Sequence, residues 1–588
     1  MPAALVWAAS VAGLWLSPIS LAVLCCLLLL LAAVLLHKAW RACRYRPVAG
    51  SAPKPARRSF LTTTAVALLL AATAAAHSAV GATQRQEGPL AAAISSGKSV
   101  VAVVEVAGAP RALNPPEQAG TPSRWSIAVW TREISTGGVL VRTRAQLLVT
   151  GVGGWGTVVP GQLVRATGKL RPADPGREEA GMLTASSGPG RPSASPFLQE
   201  SAKELRQRFV SATSFLAPDP RGLLPGMVTG DTSALDEGLE TAMKSVGMTH
   251  LTAVSGANCS LVLGTLLLAC RRFRLPRVPA AVLAIAGLGL FVLLVGPDAS
   301  VLRAALMGAV AVASMAGGRT GRGLSFLCLA VIGLLLADPG LGWSFGFLLS
   351  VLATLGIITL GRLIIDWIPA LVPRWAAAAV AVPLSAQLLC GPVTVVLQPQ
   401  FSTYSLLANV LASPLVAPVT LLGTAAVPLA ALVPWAGTAL IAAAGTFSAG
   451  VAATARFTSQ LPGAALPWPE GVPGLLSMLF LSTLTFGAVG AAARPRRFRC
   501  LVLAAHLRTI TLIELLEGCA APTLRYVRRE PAPGPGQGPR RRGAGLDRAE
   551  GHGRLGYSTK ISGRKPRWPL RRSVQPVPRR RTAPPGGT

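Results

Sequence analysis

The feature that most constrains this chain is its succession of apolar runs, most of them longer than the helix needed to cross about 30 Å of hydrocarbon. With 51% hydrophobic and 13% charged residues among 588, and a mean hydropathy of +0.51, the runs are too many for a water-soluble core. The composition predicts a polytopic α-helical membrane protein. The stretch 3–36 is too long for the apolar core of a signal peptide and is followed by no small-residue cleavage signature, so it reads as one long or two short membrane helices. After it come Lys38, Arg41, Arg44, Arg46, Lys54, Arg57 and Arg58 with no acid, which the positive-inside rule assigns to a cytoplasmic loop. A span over 60–80 then delivers the chain outside, completing an N-terminal transmembrane unit, 1–83.

Between 84 and 196 the character changes to short alternating segments, SVVAVVEVAG, RWSIAVWTREI, VLVRTRAQLLVTG and GQLVRATGKLRP, bounded by Gly and Pro. Period-2 alternation predicts about five short strands, hence a small extracytoplasmic β-barrel or sandwich. Trp125, Trp130 and Trp155 with Arg142, Arg144 and Arg165 offer two readings. They could form a stacking surface for single-stranded nucleic acid, or the Trp rings could fill the core.

The segment 197–248 mixes charges with apolar residues at helical spacing and predicts amphipathic, membrane-associated helices. From 249 to 493 apolar runs follow one another with short breaks, enough for eight or nine spans. Arg271, Arg272, Arg274 and Arg277 mark a cytoplasmic loop, so the helix carrying His250 runs from outside to inside. That course agrees with an external β-domain.

Polar groups inside apolar spans are costly unless they face a cavity or each other. The densest set lies in MTHLTAVSGANCSLVLG, residues 248–264. Thr252, Ser255 and Cys259 would share one stripe of an ideal helix, whereas His250 would stand about 140° from Ser255. Gly256, beside Ser255 and Asn258, permits a break there, and freed backbone groups of interrupted helices can line a polar path. Packing of helices through small residues is the competing reading.

These strings resemble the signature of the ComEC family, polytopic competence proteins that pass single-stranded DNA across the bacterial inner membrane. THLTAVSGANCSLV carries the resemblance together with LLPGMVTGDTSALD before it, then GPDASVLRAALMG, WSFGFLLSVLATLGI and SAQLLCGPVTVVLQPQFSTYSLLANVLASPLVAP in order. The likeness covers roughly 201–490, and the β-domain resembles the family's OB-like region. By position it implicates Gly230, Asp231, His250, Ser255, Gly256, Arg303 and Asn409, with Asn258 where many relatives have His. An amide there can hydrogen-bond but cannot titrate near neutral pH, which weakens a proton-relay role. Arg303 could meet phosphates in a pore or pair with Asp298.

The formal charge of +33 divides unevenly: from Arg494 onward 22 basic residues face 5 acids, a net of +17. This tail, 494–588, is rich in Arg, Pro and Gly and predicts disorder beyond one short helix near 501–516. It is a basic tail for nucleic acid or lipid, or, the favoured reading, the shifted frame of a lost domain in a GC-rich gene. The other two reading frames of the DNA would decide. Many ComEC relatives carry a metallo-β-lactamase-like domain, but the five His here (His37, His77, His250, His506, His552) include no HxHxDH string. The nine Cys form no CxxC and no metal-ligand cluster. No catalytic residue, metal or cofactor is expected, and no GxxxxGK[ST] loop is present to energise transport.

The resemblance thus implies an inner-membrane channel for single-stranded DNA. Its expected partners are that DNA, membrane lipid, a DNA-receptor protein outside, a motor ATPase inside and further copies of itself in a homo-oligomer. The alternatives are a transporter or intramembrane enzyme using His250 and Ser255, and a truncated, inactive product.

Overall fold

The computed structural model describes residues 2–44, 55–86, 89–108, 110–113, 124–136, 139–172, 179–190, 197–252, 254–296, 299–316, 323–369, 371–494 and 507–511. The first apolar stretch forms two helices, α1 (Pro2–Trp15) and α2 (Pro18–Arg44). The break falls where Ser17 accepts a hydrogen bond from the Ser20 N–H and Pro18 takes the first helical position. Helix α3 (Pro55–Gln86) packs against both, and α4 (Pro89–Ser95) leads into the β-domain.

Strands β1 (Ser99–Val106), β2 (Arg111–Ala112), β3 (Arg124–Thr136), β4 (Val139–Arg142), β5 (Gln146–Val152), β6 (Leu163–Pro172) and β7 (Gly181–Ala185) follow. Five close into a barrel in the order β1-β6-β7-β5-β3, with β3 returning to β1 and β5 running parallel to β7. This is a five-stranded Greek-key closure, the arrangement expected of an OB-like domain. Alternation dictates it: Val100, Ala102, Val104 and Val106 point inward with Ile127, Val129, Leu147, Val149, Val164, Ala166, Leu170 and Leu183. One feature escapes the alternation. Val104 pairs with Thr131 but Val103 with Glu133, so Arg132 is an extra residue in a bulge.

The helical part begins with α5 (Phe197–Ala212), α6 (Pro218–Thr229) and α7 (Glu237–Ser245). Helix α6 departs from the expectation of a surface-lying segment: Pro220 and every residue from Gly222 to Thr229 are buried. Small residues permit this. A β-carbon on Gly226 would come within 2.7 Å of the Thr252 carbonyl, and one on Gly222 within 2.8 Å of the Leu235 Cα.

Nine helical runs complete this part among the described residues: α8 (Gly256–Arg272), α9 (Arg277–Val295), α10 (Ala299–Ala316), α11 (Gly323–Ala337), α12 (Phe345–Gly356) continuing into α13 (Arg362–Trp367), α14 (Arg374–Leu397), α15 (Ser405–Leu432), α16 (Pro434–Ser459) and α17 (Gly471–Ala493). A π-helical stretch at Ile357–Gly361 joins α12 to α13. Short strands β8 (Gln400–Ser402) and β9 (Ala465–Pro467) tie the loop after α14 to that after α16. Among the described residues, eight helices are long and apolar enough to cross a membrane. The chain is a multi-pass membrane protein. Its largest apolar core lies where α5, α6 and α7 meet α15 and α16. Of the tail, Arg494 and the helical 507–511 are described and the remainder lies outside the described residues, as does Asp298.

Candidate functional site

The stretch 246–258 is bent three times before it becomes helix. Gly247 adopts φ +69° where it closes the end of α7, its N–H donating to the Lys244 carbonyl at 3.2 Å and that of Met248 to the Met243 carbonyl at 2.8 Å; a β-carbon on it would also stand 2.7 Å from Ser405 Oγ. A single 3-10 turn, Thr249–Leu251, follows, and Thr252 Oγ1 donates to the Thr249 carbonyl at 2.8 Å. Ser255 is extended (φ −95°, ψ 161°) and α8 starts at Gly256. The helix is therefore interrupted where Gly256 permits it.

Around this break the structure gathers most of the residues singled out in the sequence. Gly230 ends α6 in the left-handed conformation, φ +80°, and donates its N–H to the Gly226 carbonyl at 3.1 Å. A β-carbon on Gly230 would touch Val254 at 3.8 Å. Asp231 turns the chain by accepting from the Ser233 N–H at 3.0 Å. Arg206 of α5 lies near enough to feel its charge. That guanidinium donates to the Leu294 and Val295 carbonyls at 3.2 and 3.4 Å; burial lowers its pKa, and Asp231 opposes the shift.

Asn258 is the hub. Buried at 4% exposure, it donates Nδ2–H to the Met227 carbonyl at 3.0 Å, while Oδ1 accepts from Thr420 Oγ1 at 3.1 Å and from Ser255 Oγ at 3.4 Å. One amide thus joins α6, α8 and α15, using donor and acceptor together as neither a carboxylate nor an apolar side chain could. Gly256 makes the other junction. A β-carbon there would lie 3.1 Å from Ala304 Cβ and 3.2 Å from Arg303 Nη2.

Arg303, on α10, is 5% exposed. Its Nε donates to Ser350 Oγ at 3.0 Å and its Nη1 to Thr354 Oγ1 at 2.7 Å, with a further Nη2 contact to Ser350. Ser350 and Thr354 stand one turn apart on α12 and so present two hydroxyls to one guanidinium. No carboxylate among the described residues is paired with it. Asn409 stands apart from the hub: its Nδ2 donates to the Ser405 carbonyl at 2.8 Å, and it joins the site through Ser405 and Gly247.

His250 lies in the 3-10 turn with an exposed side chain. No hydrogen bond joins it to Ser255 among the described contacts, and Ser255 Oγ is directed to Asn258 instead. Among the described residues no three His, Cys, Asp or Glu side chains are grouped to hold a metal.

In the barrel, Trp155 is fully buried and donates Nε1–H to the Ser187 carbonyl at 2.9 Å, and Trp125 packs on the same core. Trp130 faces outward with the Arg144 guanidinium 5.5 Å from its ring centroid. The two readings of these aromatics thus divide between core and surface. Arg142 pairs with Glu133 at 3.0 Å, and Arg165 is exposed.

Sequence reasoning missed one group. Arg456, in the last turn of α16, donates Nε–H to Asp219 Oδ2 at 2.7 Å and Nη2–H to Asp219 Oδ1 at 2.6 Å and Asp236 Oδ2 at 2.9 Å. Nothing local announces partners 237 and 220 positions away.

Residues 227–494 match the family described as Competence protein. That segment is a competence-family domain. It contains all eight candidate residues and all nine of the closing helical runs. Within the curated proteins, a stretch of 155 residues is 34% identical to the ComE operon protein 3 of Bacillus subtilis (strain 168), covering 26% of this chain and 20% of that one. The chain thus matches about a fifth of that relative's length. No solved structure matches it.

Proposed function

We propose that the competence-family domain forms a passage for single-stranded DNA across the bacterial plasma membrane, with the β-barrel on the outer side and the driving force supplied by partners. The observation that carries this reading is Arg303: a buried cation one turn into α10, held by two hydroxyls against the glycine of an interrupted helix. Such a group is costly in a lipid-surrounded fold and marks a path for charged cargo. Phosphates are the anions of a nucleic-acid strand, and hydroxyl partners can yield a guanidinium to them more readily than a carboxylate could.

Charge supports the orientation. Of the eight described basic residues in 249–493, six (Arg271, Arg272, Arg274, Arg277, Arg362, Arg374) fall at the helix ends that alternate to one side. By the positive-inside rule that side is cytoplasmic, as is the basic stretch 38–58, so α3 delivers the barrel to the opposite face. The two exceptions are Arg303 and Arg456.

The test is entry of labelled DNA into cells whose copy carries Arg303→Ala or His250→Ala, each matched for protein in the membrane. The passage predicts a severe loss for Arg303→Ala. Undiminished entry in both would count against it.

A further inference from the structure

Among the described basic residues of 249–493, Arg456 is the one at an outer helix end with a partly accessible side chain, and it is compensated twice. Its fork grips both oxygens of Asp219 in the first turn of α6, and the same Nη2 holds Asp236, the N-cap of α7. Asp219 and Asp236 therefore close the two ends of one chain segment on one guanidinium. Everything between them is a loop with Arg456 at its neck.

The segment is built to stay closed. Gly222 admits the returning chain so near that a β-carbon would meet the Leu235 Cα at 2.8 Å and the Ala234 carbonyl carbon at 2.9 Å. Asp236 also accepts from the Leu239 N–H at 2.9 Å, which fixes the start of α7. The far side of the loop is the part that meets the candidate site: Gly226 against the Thr252 carbonyl, Met227 bonded to Asn258, and Gly230 against Val254. By contrast Thr232, Ser233 and Ala234, on the return, are exposed.

We infer that Arg456 is a positioning residue that clamps the 219–236 loop and thereby holds the interrupted start of α8 in register for the passage. This rests on the function proposed above. A bidentate, two-carboxylate arrangement is the geometry in which a partly exposed pair contributes, because the planar fork is pre-organised for it. Lysine would keep the charge and lose the fork.

The experiment is hydrogen–deuterium exchange of the full chain in lipid nanodiscs, paired with DNA entry in cells. Arg456→Gln should speed exchange of 230–245 by roughly 5–30-fold, the factor set by one or two kcal/mol of local opening, and leave the barrel strands unchanged. Arg456→Lys should fall between Gln and the native protein, and it supplies the test if the Gln variant does not fold. DNA entry should decline in the same order at equal protein level. Native exchange of 230–245 in the Lys variant, or native DNA entry despite a loosened loop, overturns the inference. If the native chain itself imports no DNA, the functional reading fails, while the exchange measurement still decides the clamp.

Discussion

Gly256 leaves Arg303 so little room that a β-carbon on the glycine would stand 3.2 Å from the guanidinium Nη2. The start of an interrupted helix and the buried cation of another are thereby fixed against each other. Gly256→Ala should force one of them to shift, at a cost of about 1–3 kcal/mol, typical of overpacking. Thermal unfolding in detergent would measure it, and DNA entry should fall with it. Gly264, whose β-carbon would meet nothing within 4 Å, is the control, and Gly264→Ala should leave both readouts near native.

Asn258 bonds Met227 and Thr420 from one buried amide. Asn258→Leu keeps the bulk and strands both partners, so the expected destabilisation is about 1–3 kcal/mol for each buried group left unpaired. Thr420→Val removes only one of those bonds and should cost less. A double variant whose loss equals the sum of the singles would show that the two residues are not coupled.

The outer and inner tryptophans of the barrel should separate cleanly. Trp155→Ala empties a fully buried site and should cost about 3–5 kcal/mol in chemical denaturation. Trp130→Ala removes an outward-facing, half-buried ring beneath the Arg144 guanidinium, so the expected cost is at most about 1 kcal/mol. Equal losses would mean that the barrel does not have this inside and outside.

Arg456, and then the Leu239 N–H, hold the Asp236 carboxyl below its ordinary pKa of 3.8. A lowered folded-state value contributes stability that is complete above the ordinary value and is lost as pH falls through the lowered one. The stability gap between the native chain and Asp236→Asn should therefore be constant above about pH 5 and shrink below pH 4. Thermal unfolding across that range measures it; a gap that widens in acid would contradict the assignment.

Much of this architecture was legible in the sequence, because its signals are local. Alternation in SVVAVVEVAG and RWSIAVWTREI foretold the barrel strands, and Gly256 foretold the interruption before α8. The bulge at Arg132 was not legible, since it depends on which residue of β1 faces it. Nor was the interior position of α6. Its Asp219, Pro220 and Arg221 read as surface, and only the close approaches of Gly222 and Gly226 to distant backbone show otherwise. The roles of Ser350, Thr354 and Thr420 are long-range for the same reason, although the one-turn spacing of Ser350 and Thr354 on an apolar helix is a signal that could have been weighed.

The most direct measurement of the central claim is entry of fluorescent or radiolabelled DNA into the nuclease-protected compartment of cells lacking this gene, with and without the gene restored. The account predicts that the deletion leaves DNA bound at the surface but abolishes protected label, that the native gene restores it, and that the Arg303→Ala gene does not. Protected label accumulating at the native level in the deletion strain would contradict it.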